Sequence, residues 1–278
     1  MGALRTQIFF NGEQKLAASV GGPEDGPGIL FLHGGGQTRY AWNSCAETLA
    51  EDGFRVISLD LRGHGDSAWA ADGYAIELQV QDVLAVISQF PEPPILVGAS
   101  LGGLVALNTL GLHVRGGRAL VLVDITPRID MQGAAQVRDF MTANPEGFES
   151  LAQAAETISR YLPHRRRPES LSGLQKNLRM RNGRWYWHWD PALFFSLDVS
   201  KEAVQARHEQ ASRSITVPTL LIRGSRSELV GEDQVNHFLE LIPHADFIDI
   251  QDAGHMVAGD SNEVFIQALR EFVTSLPG

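Results

Sequence analysis

Cysteine is nearly absent. Of 278 residues only Cys45 carries a thiol, so no internal disulfide can form, and metal sites built from two or four cysteines are excluded. Cys45 itself reads as a small buried hydrophobe. Long apolar runs are missing as well: nowhere do eighteen apolar residues follow one another, which argues against a membrane-crossing helix. The opening MGALRTQIFFNGEQKL holds no apolar stretch of signal-peptide length, so a cytoplasmic location is expected. Positive charge is scarce, with 23 Lys and Arg against 33 Asp and Glu and a net charge of -10. A phosphate-backbone binder needs a basic stripe, so nucleic acid is not an expected partner, and neither is a membrane. There is no internal repeat and no low-complexity tract.

What is present is an ordinary globular composition, 44% hydrophobic and 20% charged, on a chain long enough to bury a substantial core. TQIFFNGEQKLAASV reads as a hairpin turning at Asn11-Gly12. GILFLHG, FRVISLD, PILVG, ALVLVDI, TLLIRG and ADFIDI follow, compact and mostly without polar alternation, as strands buried on both faces of a parallel sheet are. Between them, YAIELQVQDVLAVISQF and EVFIQALREFVTSL space their apolar residues three and four apart, as amphipathic helices do. The fold class is α/β, with helices covering a mainly parallel sheet.

One segment breaks this rhythm. From Arg128 to Arg213 no strand of the core type appears, and 13 Lys and Arg stand against 10 Asp and Glu, compared with 10 against 23 elsewhere. Residues 128–213 are therefore expected to form an inserted helical cap, with 1–127 and 214–278 as the core. Within it, Trp185, Trp187 and Trp189 fall at period two, so an extended segment turns them to one face. They are candidates to line an apolar substrate pocket, or to glue cap to core. The run Arg165–Arg167 reads as a solvated face.

The chemistry gathers at ILVGASLGGLVALN, a strand running into a helix with Ser100 at the corner. A nucleophilic hydroxyl must stand clear of the backbone so that a base and a carbonyl carbon can both reach it. A strained strand-turn-helix elbow does this; Gly98 and Gly102 keep bulk away, and Gly103 lets the helix pack closely. The helix start offers the Leu101 N–H to a developing oxyanion. A second donor is expected from His33-Gly34-Gly35-Gly36, which follows a buried strand: Gly35 is the candidate, with Gly36 as the alternative. His33 is expected to brace this loop, and His64 in DLRGHGDS to belong to a turn. Among nine histidines, His255 in DIQDAGHMV lies past the last core strand and before the last helix, where a general base can face the serine.

Taken together, HGGG, LDLRGHGDS, GASLGG and DAGH, in this order, resemble the α/β-hydrolase family over nearly the whole chain. The resemblance implies an eight-stranded sheet, a cap inserted after the sixth strand, and a Ser-acid-His triad with Ser100 as nucleophile and His255 as base. The acid has two candidates. The family's commoner position, after the seventh strand, here holds Ser227, with Glu228 one step later. Asp124 ends the sixth strand, where the acid of haloalkane dehalogenases stands, and is preferred because a strand is the stiffer mount. The implied activity is hydrolysis of small, largely apolar carboxylic esters through an acyl-enzyme, by a monomer or homodimer, without metal or organic cofactor. Carbon–carbon bond hydrolases, lactonases and acyltransferases use the same triad, and non-catalytic small-molecule receptors share the fold.

Overall fold

Runs of Leu, Ile and Val without polar alternation become the middle of a sheet. In the computed structural model, which describes residues 4–113, 115–161, 171–193, 202–257 and 262–276, strands β3 (Gly28–Leu32) and β6 (Ala119–Val123) are buried at every position. β4 (Arg55–Leu59), β5 (Ile95–Ala99), β9 (Thr219–Gly224) and β10 (Asp246–Ile250) complete the parallel part. The hairpin β1 (Arg5–Asn11) and β2 (Gln14–Gly21) joins antiparallel at one edge, giving eight strands in the order β1-β2-β4-β3-β5-β6-β9-β10. Its loop is Gly12-Glu13, one residue beyond the expected Asn11-Gly12. Asn11 still pairs with Gln14, and Gly12 takes the left-handed corner at φ 58°.

Strand side chains alternate, so each strand feeds two cores. Ile29, Phe31, Val97 and Val121 face a layer holding Leu49 of α1 (Asn43–Glu51) and Phe265 and Leu269 of α8 (Asn262–Ser275). Leu30, Leu32, Leu96 and Leu120 face the other layer. There they meet Val83 of α2 (Ile76–Ile87), Val105 of α3 (Leu101–Leu112) and Phe238 of α7 (Glu232–Leu241). Each such side chain, fully buried, contributes about 1.5–3 kcal/mol relative to exposure.

Between β6 and β9 the chain leaves the sheet. It forms α4 (Met131–Thr142), α5 (Leu151–Tyr161), a 3-10 segment (Leu171–Asn177) and α6 (Glu202–Arg213). Beside these helices the insert carries two short strands. β7 (Leu178–Arg181) and β8 (Arg184–Trp187) form a hairpin that pairs with itself and not with the main sheet. Its two-residue loop is Asn182-Gly183, both at positive φ, the pair that matches hairpin twist best. Met141, Phe148, Ala154, Leu178, Trp187 and Trp189 give the insert a small apolar core of its own. Helix α6 instead lies along α3, where Asn108 Nδ2 donates to buried His208 Nδ1 at 2.8 Å. The Arg165–Arg167 run lies outside the described residues.

Candidate active site

The carboxyl ends of β5, β6 and β9 lie side by side, and the candidate residues stand there. Ser100 sits between β5 and α3 at φ 48°, ψ -118°, a left-handed conformation costly for a non-glycine residue. Its glycines are explained by close approach. A Cβ on Gly98 would come within 2.4 Å of the Gly102 carbonyl oxygen, and one on Gly103 within 2.3 Å of the Ile125 side chain. One on Gly102 would come within 2.3 Å of the Leu32 carbonyl oxygen, so only hydrogen fits against the end of the neighbouring β3. The serine itself is held by its N–H on the Val123 carbonyl, 3.3 Å away, one residue before Asp124.

Asp124 is completely buried and also has positive φ, at 50°. Its carboxylate is satisfied by three donors. Gly224 N–H reaches Oδ1 at 3.0 Å, while Ser227 Oγ–H and His255 Nδ1 reach Oδ2 at 2.5 and 2.7 Å. Ser227 is in turn fixed by the N–H groups of Leu229 and Val230, 3.2 and 3.1 Å from its oxygen. Of the two carboxylates weighed from the sequence, the one on His255 is therefore that of Asp124. Glu228, one residue further along the same turn, is exposed to solvent. The N-cap of α4 is Asp130, whose Oδ1 accepts the Gly133 N–H at 2.8 Å.

The HGGG loop runs past the serine. A Cβ on Gly34 would lie 3.3 Å from that of Ser100, so the loop and the hydroxyl are neighbours. Two of its three glycine amides are committed: Gly34 N–H to Gln37 Oε1 at 2.9 Å and Gly36 N–H to His64 Nε2 at 3.1 Å. Among the described residues, Gly35 N–H is left without an acceptor, and Gly35 is partly exposed. Leu101 is the first residue of α3, where an amide has no carbonyl one turn back. The spatial arrangement thus distinguishes Gly35 from Gly36 by the hydrogen bond that Gly36 already makes.

His33, expected to brace the loop, does so: its Nε2 accepts from Leu61 N–H at 3.0 Å and its Nδ1 lies 2.8 Å from the Gly34 carbonyl. His64 packs edge-on against it, and a third ring, His188 from the segment after β8, lies beyond at a tilt of 51°. Burial lowers His33 to about 4 and His64 to about 3, and holds His188 well below the usual imidazole range. The three rings are neutral and every ring nitrogen is used by a peptide group, which leaves no lone pair for a metal.

The tryptophans take different places. Trp187 and Trp189 are buried and stacked, 4.7 Å between centroids, inside the insert's core. Trp185 is half-buried and bridges by its backbone to Phe148. Trp189 and Met141 also reach the HGGG loop, for a Cβ on Gly36 would meet Trp189 Cζ3 at 3.2 Å and collide with the Met141 methyl.

The family model for the alpha/beta hydrolase fold matches residues 27–261. The chain is 29% identical over 259 residues to Esterase Rv0045c of Mycobacterium tuberculosis, covering 88% of this chain and 82% of that protein. It is 27% identical to the 3-hydroxybutyrate-oligomer hydrolase of Cupriavidus necator, covering 88% of each. Among solved structures, E-2-(acetamidomethylene)succinate hydrolase superposes with a TM-score of 0.88 over 98% of this chain and 100% of that one, at 22% identity, a likeness of fold. The chain belongs to the α/β-hydrolase fold family.

Proposed function

We propose that the protein is a serine hydrolase that cleaves carboxylic esters of small, largely apolar substrates through an acyl-enzyme on Ser100. The observation that carries this reading is the 2.7 Å pair of His255 Nδ1 and buried Asp124 Oδ2, on the sheet edge where Ser100 stands in its strained turn. With Nδ1–H held by the carboxylate, the lone pair of His255 is on Nε2. That nitrogen takes the Ser100 proton as Oγ attacks the ester carbonyl carbon, and the N–H groups of Gly35 and Leu101 receive the oxyanion. Collapse expels the alcohol, protonated by His255. Water, deprotonated by the same imidazole, then attacks the acyl carbon, and the carboxylic acid leaves with the Ser100 proton restored.

The names of the matched relatives, an esterase and an oligomer hydrolase, support ester bonds as the target. Preference for apolar substrates rests on the Met141 and Trp189 side chains that roof the oxyanion loop. The test is hydrolysis of p-nitrophenyl acetate followed from the first turnover. A burst of nitrophenol matching the enzyme concentration, absent from Ser100→Ala, supports the acyl-enzyme; tight ester binding with no release of nitrophenol makes the protein a receptor instead.

A further inference from the structure

Helix α4 is tied to the core at both ends, and the two ties lie on opposite sides of the nucleophile. At its start, Asp130 N–H donates to the Leu229 carbonyl at 2.9 Å, and buried Gly133 lies so close to the Glu228 carbonyl oxygen that a Cβ would collide with it. Both partners belong to the loop after β9, beside Ser227. At its end, the Met141 side chain covers Gly36 in the loop after β3. Between β3 and β9 the sheet holds β5 and β6, which run into Ser100 and Asp124. From β3 to β9 is three strand spacings, about 14 Å. The eight residue steps from Gly133 to Met141 cover about 12 Å of helix. The helix therefore bridges the two loops and crosses over the strand ends that carry the nucleophile and the carboxylate.

Gly133, Val137 and Met141 are four apart, so they form one row along α4. Its outer members touch the core loops, which turns the row towards the sheet, and Val137 is its midpoint. Val137 packs against the core layer that holds Leu101 and Leu229 and against the insert's own core, yet it stays only half-buried. The space left open to it is the one between insert and sheet.

The geometry of the reaction decides which part of an ester meets this side chain. In the tetrahedral adduct Ser100 Oγ holds the acyl carbon from the sheet side. The oxyanion turns to the Gly35 and Leu101 N–H groups, and the leaving oxygen to His255 Nε2. The acyl chain takes the direction that remains, away from the sheet and towards α4.

We propose that Val137 is a specificity-determining residue: its isopropyl group stands across the site from Ser100 and limits the length of the acyl chain, so that the substrates are esters of short-chain acids. The inference rests on the reading of Ser100 as the nucleophile and names the acyl half of the ester it attacks.

The test is the ratio of kcat/KM for p-nitrophenyl octanoate to that for p-nitrophenyl acetate, in which a general loss of activity cancels. Room for one methylene in an apolar pocket is worth on the order of 10–200-fold in discrimination. The parent protein is expected to favour acetate, V137A to raise the ratio by about tenfold or more, and V137F to lower it by a similar factor. V137A keeps a good helix former at the position and carries the test if V137F fails to fold. D139A, on the exposed opposite face of α4, is expected to leave the ratio within about twofold. Parental ratios in both Val137 variants overturn the proposal, as does an equal shift in D139A. So does a parent that favours octanoate, or a V137A whose selectivity changes with the alcohol of butyrate esters and not with the acyl chain. If the parent neither hydrolyses these esters nor reacts with a fluorophosphonate, the Ser100 reading has failed and the role of Val137 falls with it. A parent that labels at Ser100 beside Val137 variants of unshifted ratio removes the role of Val137 alone.

Discussion

Ser227 donates its hydroxyl proton to Oδ2 of Asp124 at 2.5 Å, the same oxygen that lies 2.7 Å from His255 Nδ1. The serine occupies the loop position where the family more often carries the acid, and in this chain it supports a carboxylate delivered from the neighbouring strand. Asp124→Asn preserves the shape of the group but presents an amide to His255, and is expected to lower kcat by about 10⁴. Glu228→Gln changes an exposed side chain and is expected to leave kcat within about threefold. Steady-state kinetics of the two purified variants decides between them, and the reverse pattern assigns the acid to the β9 loop.

Ser227→Ala removes a hydroxyl from a charged, buried acceptor while leaving Gly224 N–H and His255 in place. The expected cost is about 1.5–3 kcal/mol in urea unfolding, typical of a hydrogen bond to an ionised group. A change below about 0.5 kcal/mol, the size of an ordinary surface substitution, contradicts the assigned bond.

Glycine at 102 is fixed by backbone, which cannot move aside as a side-chain tip can. An added methyl meets the carbonyl oxygens of Leu32 and His33 at 2.3 and 2.6 Å. Gly102→Ala is expected to destabilise by about 3 kcal/mol or more, the upper part of the overpacking range, and to displace the Ser100 turn with it. Thermal unfolding of this variant, with ester turnover measured beside it, checks both.

Much of this arrangement was legible because it is local. Ser100 and its glycines lie in one strand-turn-helix stretch, and the strand cores declare themselves by unbroken apolar runs. The Asn182-Gly183 hairpin is equally local but lacks the signal of a core strand, since β8 consists of one arginine and three aromatic residues in place of an aliphatic run. The hydrogen bonds of Ser227 and His188 had no local signal. Ser227 acts on a carboxylate 103 residues away, and His188 on a glycine 152 residues away, so both depend on how the insert and β9 return to the sheet. The choice between Gly35 and Gly36 was closed to sequence for the same reason: it turns on His64, which occupies the Gly36 amide.

Buried neutral histidines tie stability to pH. Burial lowers His208 from 6.5 to about 4 in the folded protein, beside Asn108 on α3. The unfolded chain takes up that proton first, so the stabilisation is complete above about pH 6.5 and is lost as pH falls towards 4. Over that window each such histidine contributes a slope of up to about 1.4 kcal/mol per pH unit. His208→Asn, which keeps an acceptor for Asn108 but does not titrate, is expected to reduce the pH slope of the urea-unfolding free energy between pH 6.5 and 4.5 by up to about 1.4 kcal/mol per pH unit. An unchanged slope contradicts the burial of a neutral ring there.

The central claim is that the hydroxyl of Ser100 is the activated nucleophile, and covalent capture tests it most directly. Incubation with a fluorophosphonate, followed by intact mass and peptide mapping, is expected to give one adduct per chain, on the peptide carrying Ser100. Ser100→Ala should stay unmodified, and Asp124→Asn should react slower by orders of magnitude, as loss of the orienting acid demands. An unmodified parent protein, or an adduct on any other residue with Ser100 untouched, contradicts the account.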